Sequence, residues 1–216
     1  MKTSPIRRAR ALLVAAAAFA AVAAHAQQPA AAAAGPAGTN PGELKITKLT
    51  DFNDYKQKAK NIEGKTSQRS RIWGVFDATF QTTPPWIDSM TVTFTLVLLN
   101  PKADPKAGEK PMSLLQTTVE YADIAQDRDH RVGVVLRPAA LLRFGDPLGF
   151  AVSFSVGGEE VASQGVAKGA LAQQKEWWKN PAVLEHPNVQ RREGYLVDRM
   201  KSPFQLVDPD NYELSR

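Results

Sequence analysis

Few residues in this chain are equipped for chemistry. Cysteine is absent and there are 3 histidines. His25 lies in the leader described below, which leaves His130 and His186. His130 stands beside Asp123, Asp127 and Asp129 in the run DIAQDRDH. Carboxylate oxygens with one imidazole form a donor set for a divalent ion, yet this spacing fits neither a calcium loop nor a zinc site. An acidic inter-strand turn accounts for the same residues. Asp208 and Asp210 in VDPDNYE read as turn chemistry in the same way. No Gly-x-Ser-x-Gly elbow, His-Glu-x-x-His pair or glycine-rich phosphate loop occurs. Glu159 and Glu160 are neighbours beside a hairpin turn, so their side chains point to opposite faces of a strand. The reading is a non-enzymatic protein with no catalytic residues, no metal and no cofactor.

The aromatic residues allow a different kind of site. Trp73, Trp86, Trp177 and Trp178 are the residue type that stacks on sugar rings, as in β-sandwich carbohydrate-binding modules. Trp177 and Trp178 are therefore the candidate contacts for a glycan or a protein partner. The competing reading makes Trp73 a core residue and lets Trp177 and Trp178 pin the C-terminal part of the chain, since buried aromatics dominate core energetics.

Residues 1–26 read as a secretory signal peptide. Lys2, Arg7, Arg8 and Arg10 form the basic region, alanine-rich residues 11–24 the apolar region, and Ala24-His25-Ala26 the cleavage site, with cleavage after Ala26. The apolar run is short for a membrane span, so no span is expected after cleavage. The chain carries 27 Lys and Arg against 22 Asp and Glu, a formal charge of +5. Four of the cations belong to the leader, and the mature chain is close to neutral. That removes the electrostatic footprint of a nucleic-acid-binding protein. An exported chain without cysteine must hold its core by packing alone.

Residues 27–42, QQPAAAAAGPAGTNPG, read as a flexible linker of Ala, Pro and Gly. The β-sandwich domain is expected at residues 43–170. Its central stretch is WIDSMTVTFTLVLLN, residues 86–100, where Thr91, Thr93 and Thr95 alternate with Val92, Phe94 and Leu96 before the pattern turns apolar on both sides. Strands are also read at residues 43–50, 71–80, 112–124, 131–137, 148–156 and 160–166. Gly157-Gly158 makes the last pair a hairpin. Residues 51–69 read as a solvated loop or one short helix near 54–60, and residues 138–144 as a helical turn with Pro138 at its start. About seven strands separated by turn signals indicate an all-β, immunoglobulin-like sandwich. Residues 171–216 form a C-terminal extension with many apolar anchors, expected to pack along the sandwich and to hold a short helix at 170–179.

An exported all-β domain carrying RIWGVFDATF, LLRFGDPLGFAVSF, WWKNP and GYLVDRMKSPFQLVDPDNYE resembles the verrucomicrobial pilus-like proteins. Those are immunoglobulin-like sandwiches encoded near a type IV pilus-associated outer-membrane protein. The resemblance implies an exported structural or interaction protein of the periplasm or outer-membrane surface, acting in surface assembly or adhesion. Its partners would be envelope or pilus-associated proteins, and the family brings no catalytic residues.

Overall fold

The computed structural model describes residues 44–58, 71–126 and 129–216. The signal peptide with Ala26, the linker and Asp127 lie outside the described residues.

The stretch WIDSMTVTFTLVLLN becomes β4 (Trp86–Leu99), the centre of one sheet. It pairs antiparallel with β5 (Met112–Ala125) on one side and with β7 (Asp146–Val156) on the other. Val92, Phe94, Leu96 and Leu98 point inward and are fully buried, as period-two alternation requires. Thr91, Thr93 and Thr95 take the outer face, where the Thr93 and Thr118 hydroxyls meet at 3.2 Å. Val97 also points outward but is 2 % exposed, because a further layer of chain covers it. That layer explains why the strand ends apolar on both faces.

β8 (Glu159–Ala167) extends this sheet beyond β7, and β9 (Val189–Arg192) runs parallel to β5 at the opposite edge, giving the order β8-β7-β4-β5-β9. Gly157 and Gly158 join β7 to β8 with φ of 61° and 87°. Positive φ at both positions is what a two-residue turn matching strand twist needs.

The facing sheet contains β1 (Leu44–Leu49), β2 (Lys56–Lys58), β3 (Ile72–Thr82), β6 (His130–Leu136) and β10 (Leu196–Asp198). Its order is β1-β3-β6-β10, with β2 also pairing to β3. Phe76, Ala78 and Phe80 of β3 meet Val132, Val134 and Leu136 of β6 and the inner face of β4 in one core. The two packed sheets make the all-β, immunoglobulin-like sandwich that the strand spacing predicts. α1 (Pro138–Phe144) carries Pro138 in its first turn, as read from the sequence.

Ten strands are found among the described residues, against the seven or so read from the sequence. The additional three are β2, β9 and β10, all of four residues or fewer. Within the residues 51–69 expected as a loop or a short helix near 54–60, Lys56–Lys58 form β2 instead, because their backbone pairs with β3. Residues 59–69 lie outside the described residues. The short helix expected at 170–179 is instead two 3-10 turns, Gly169–Gln173 and Trp177–Lys179. Extended backbone at Gln174 (φ −90°, ψ 107°) and left-handed backbone at Glu176 (φ 47°) interrupt any continuous helix.

Trp177 is 2 % exposed and anchors a second apolar cluster with Val97, Leu114, Ala151, Leu171 and Val189. Replacing it with alanine removes this anchor from a packed site. Trp177→Ala is expected to lower unfolding free energy by roughly 3–5 kcal/mol, read as a fall in the urea midpoint.

Candidate interaction surface

From Gly169 onward the chain wraps the sandwich and covers an outer face of each sheet in turn. Over the β4 sheet it is admitted by small residues. A Cβ built on Gly149 of β7 would lie 2.7 Å from both Leu171 and the Trp177 ring, and one on Gly165 of β8 would lie 2.5 Å from the Trp178 ring. The two indoles thus occupy space that side chains would otherwise fill. Asn180 caps the helix that follows, α2 (Pro181–Leu184), by accepting the Ala182 N–H at 3.0 Å. Lys179 ties the segment to β8 through Glu160 and pairs with Glu176 within its own turn.

This arrangement decides what Trp177 and Trp178 can do. Their ring planes stand at 85° with centroids 5.8 Å apart, and Trp177 is buried. A flat stacking platform needs two exposed, coplanar rings. The pair instead has the edge-to-face geometry of packed aromatics. Trp73 rests edge-on against Phe204 at 6.1 Å, and Trp86 alone of the four is largely exposed.

After β10 the chain crosses the outer face of the β3 sheet. Phe204 packs on Val75 and Val135, and polar groups hold the remainder. The Tyr212 hydroxyl donates to Asp77 Oδ2 at 2.8 Å. The Arg199 guanidinium lies 3.5 Å from the Tyr212 ring centroid, and its Nη2 donates to the Val207 carbonyl. Arg131 approaches the same ring at 5.3 Å. Gly133, opposite Asp77 in the ladder, leaves room for the carboxylate: a Cβ there would lie 2.3 Å from Asp77 Oδ1. Burial raises the Asp77 carboxyl above the usual carboxylate range, against the lowering effect of Tyr212, Arg131 and Arg199. Burial and the neighbouring Asp77 push the Tyr212 hydroxyl up to about 12.

The last residues close the seam between the sheets. Glu213 Oε1 lies 2.6 Å from His130 Nδ1, and the His130 ring stacks on Phe80 at 5.1 Å. The Ser215 hydroxyl donates to Asp198 Oδ2 at 2.6 Å, and the Arg216 N–H donates to the Glu120 carbonyl of β5 at 3.0 Å.

His130 is therefore an inward-facing, buried residue paired to the C-terminal segment, and it does not converge with its acidic neighbours. Asp123 and Asp129 are exposed, and Asp123 adopts left-handed backbone with φ 59°. Among the described residues no group of three or more His, Asp or Glu is placed to hold a metal. Asp208, also left-handed at φ 49°, starts a 3-10 turn. The Asp77–Tyr212–Arg199 cluster escapes a sequence reading because its members lie 135 residues apart at their widest. Their only local signal is an aspartate inside an otherwise apolar strand.

A protein-family model matches residues 40–216 of the chain. A solved structure from Akkermansia muciniphila aligns with TM-score 0.63 at 20 % identity, covering 81 % of this chain and 92 % of that one. At that identity the likeness is one of fold. A β-D-glucoside glucohydrolase from Trichoderma reesei aligns at TM-score 0.27 and 8 % identity, over 58 % of this chain and 19 % of that one, too distant to bear on the fold or the site. No curated protein matches.

The buried Asp77 carboxyl gives a pH signature. Its raised value in the folded state means the protonated form is the one the fold favours. Its contribution is fully present below the ordinary aspartate value of about 4 and is lost as pH rises through the raised value. Asp77→Asn retains an acceptor for Tyr212 without the charge. The variant is expected to be at least as stable as the native chain at pH 8, with its advantage narrowing toward pH 4. Urea unfolding across that range measures it, and an advantage that widens on acidification would contradict the assignment.

Proposed function

Because the chain belongs to the protein family whose model spans its residues 40–216, we propose that it is a pilus-like, non-enzymatic protein of the cell envelope. In this reading it is exported and acts in surface assembly or adhesion through protein–protein contacts. The family match carries the proposal, since it covers both the sandwich and the segment wrapped around it. The sequence resemblance to verrucomicrobial pilus-like proteins and the fold shared with a protein of Akkermansia muciniphila, a verrucomicrobium, support it.

The architecture suits such a role. A sandwich that uses its own C-terminal segment to cover large parts of both outer faces is left with sheet edges and polar strand faces to offer. Strand edges bind partners through backbone hydrogen bonds, with side-chain pockets adding selectivity. No helix among the described residues is long and apolar enough to cross a membrane.

The experiment is in-situ crosslinking on intact envelope with residues 27–216 as bait, followed by identification of what is captured. Recovery of pilus or outer-membrane proteins is the expected outcome. Recovery of glycans alone, or of nothing above a scrambled control, would remove the basis for the pilus-like role.

A further inference from the structure

The outer edge of β5 is covered at two places. β9 runs beside Met112, Ser113, Leu114 and Leu115, and the C-terminal Ser215 and Arg216 pair at Tyr121 and Glu120. Between them, from Gln116 to Val119, no strand lies alongside among the described residues. In an antiparallel strand the N–H and C=O of alternate residues point to the same side. The Met112 N–H donates to the Asn188 carbonyl at 3.1 Å and the Glu120 carbonyl accepts from Arg216, both away from β4. Thr118 shares their phase, so its main-chain donor and acceptor face the uncovered side.

A cleft of about 340 Å³ opens there, lined by Leu114, Gln116, Thr117, Thr118, Arg191, Arg192 and Glu193. Its charges are not compensated internally. Arg192 is held by neutral groups: Nε donates to Ser113 Oγ at 3.2 Å, Nη2 donates to Gln190 Oε1 at 2.7 Å, and the guanidinium sits 4.5 Å above Phe144. Neither Arg191, Arg192 nor Glu193 forms an ion pair with any described residue. Arg191 and Arg192 are consecutive on β9 and point to opposite faces. Arg192 turns to Ser113 and Phe144, which leaves the exposed Arg191, without an ion-pair partner, beside a gap with one carboxylate, Glu193, in its lining. Guanidinium groups are suited to forked recognition of carboxylates.

We infer that this gap takes an extended segment of a partner polypeptide, its main chain adding to β5 at Thr118 and an acidic side chain meeting Arg191. Four strand residues span roughly 13 Å, so the seat accepts a short stretch of about that length. The inference rests on the protein–protein reading above and names the edge and the partner chemistry for it.

The test uses residues 27–216 as bait for two displayed heptapeptide libraries, random except for a central Asp in one and a central Asn in the other. Enrichment from the Asp library is expected. Synthetic peptides made from the enriched sequences should shift the backbone amide resonances of Gln116 and Thr118 in the ¹⁵N-labelled chain. Arg191→Gln should weaken them about tenfold, in line with loss of a charge-assisted contact. Thr118→Pro should abolish binding while keeping the near-ultraviolet circular dichroism of the fold, because the lost N–H does not serve β4. Arg191 is exposed, so its variant keeps the test interpretable if the proline variant fails to fold. No enrichment, equal enrichment from the Asn library, or undiminished binding to Arg191→Gln would overturn the inference. Envelope crosslinking with Arg191→Gln separates the two readings. If it captures the same partners as the native chain, the gap is overturned and the interaction role stands. If the native chain captures nothing, the interaction role itself falls, whatever the peptides do.

Discussion

Gly149 and Gly165 carry no side chains where two indole rings lie. The ladder places Gly149 opposite Ala167 and Gly165 opposite Ala151, so β7 and β8 present a strip of small residues on their shared outer face. Trp177 and Trp178 rest on that strip. Fully burying an indole removes some 150–250 Å² from water, or roughly 4–6 kcal/mol at 25 cal/mol/Å². The seat also fixes a path. With the chain held there, residues 189–192 reach the free edge of β5 and residues 196–198 the free edge of β6. A bulkier residue at either glycine would lift this layer and, with it, the strands that finish both sheets.

The second half of the wrap is held by a different balance of forces. Beyond β10, Phe204 is the one fully buried apolar anchor, while Leu206 and Leu214 are 60 % and 65 % exposed. Arg199 is 3 % exposed, and a buried cation must be offset by nearby partners. Here the Tyr212 ring face and the Val207 carbonyl share that task. Asp77 in turn fits only because Gly133 stands opposite. Each member is tolerable because the others are present, so this half of the wrap is specified by geometry more than by buried area. Removing one partner from such a network costs more than the pair contributes.

These two modes of attachment explain what could be read from the sequence. Strands with one face in the core announce themselves: Val92, Phe94 and Leu96 alternate with threonines, and the fold class follows. Val97 breaks the alternation only because Trp177 covers the outer face. The wrap was legible as a texture of apolar anchors, and the reading that pins it with Trp177 and Trp178 was among those the sequence allowed. Its strands were not legible. β9 and β10 are four and three residues long, shorter than any periodicity can establish, and their pairing comes from where the chain is delivered. His130 shows the same limit from another side. Its sequence neighbours are acidic, but its partner is Glu213, 83 residues away, and strand parity turns the imidazole inward while Asp129 stays in solvent.

Open edges are a liability that sheet proteins manage case by case, and the edges here are managed unequally. On the β10 side, the seam is sealed by Glu213 on His130, Ser215 on Asp198 and Arg216 on Glu120, all contributed by the end of the wrap. β5 lies on that same sealed side and carries two caps, yet they stop short of one another. Had β9 continued past Arg192 along β5, Gln116 to Val119 would be covered as well. Instead Glu193 and Gly194, the latter at φ 76°, turn the chain away toward β10 and the opposite sheet. The turn that completes one sheet is thus what leaves the other uncovered at Thr118. It also places Arg191 and Arg192, the last residues before the departure, at the rim of the opening. Completion of the β6 edge and exposure of the β5 edge are two consequences of one change in chain direction.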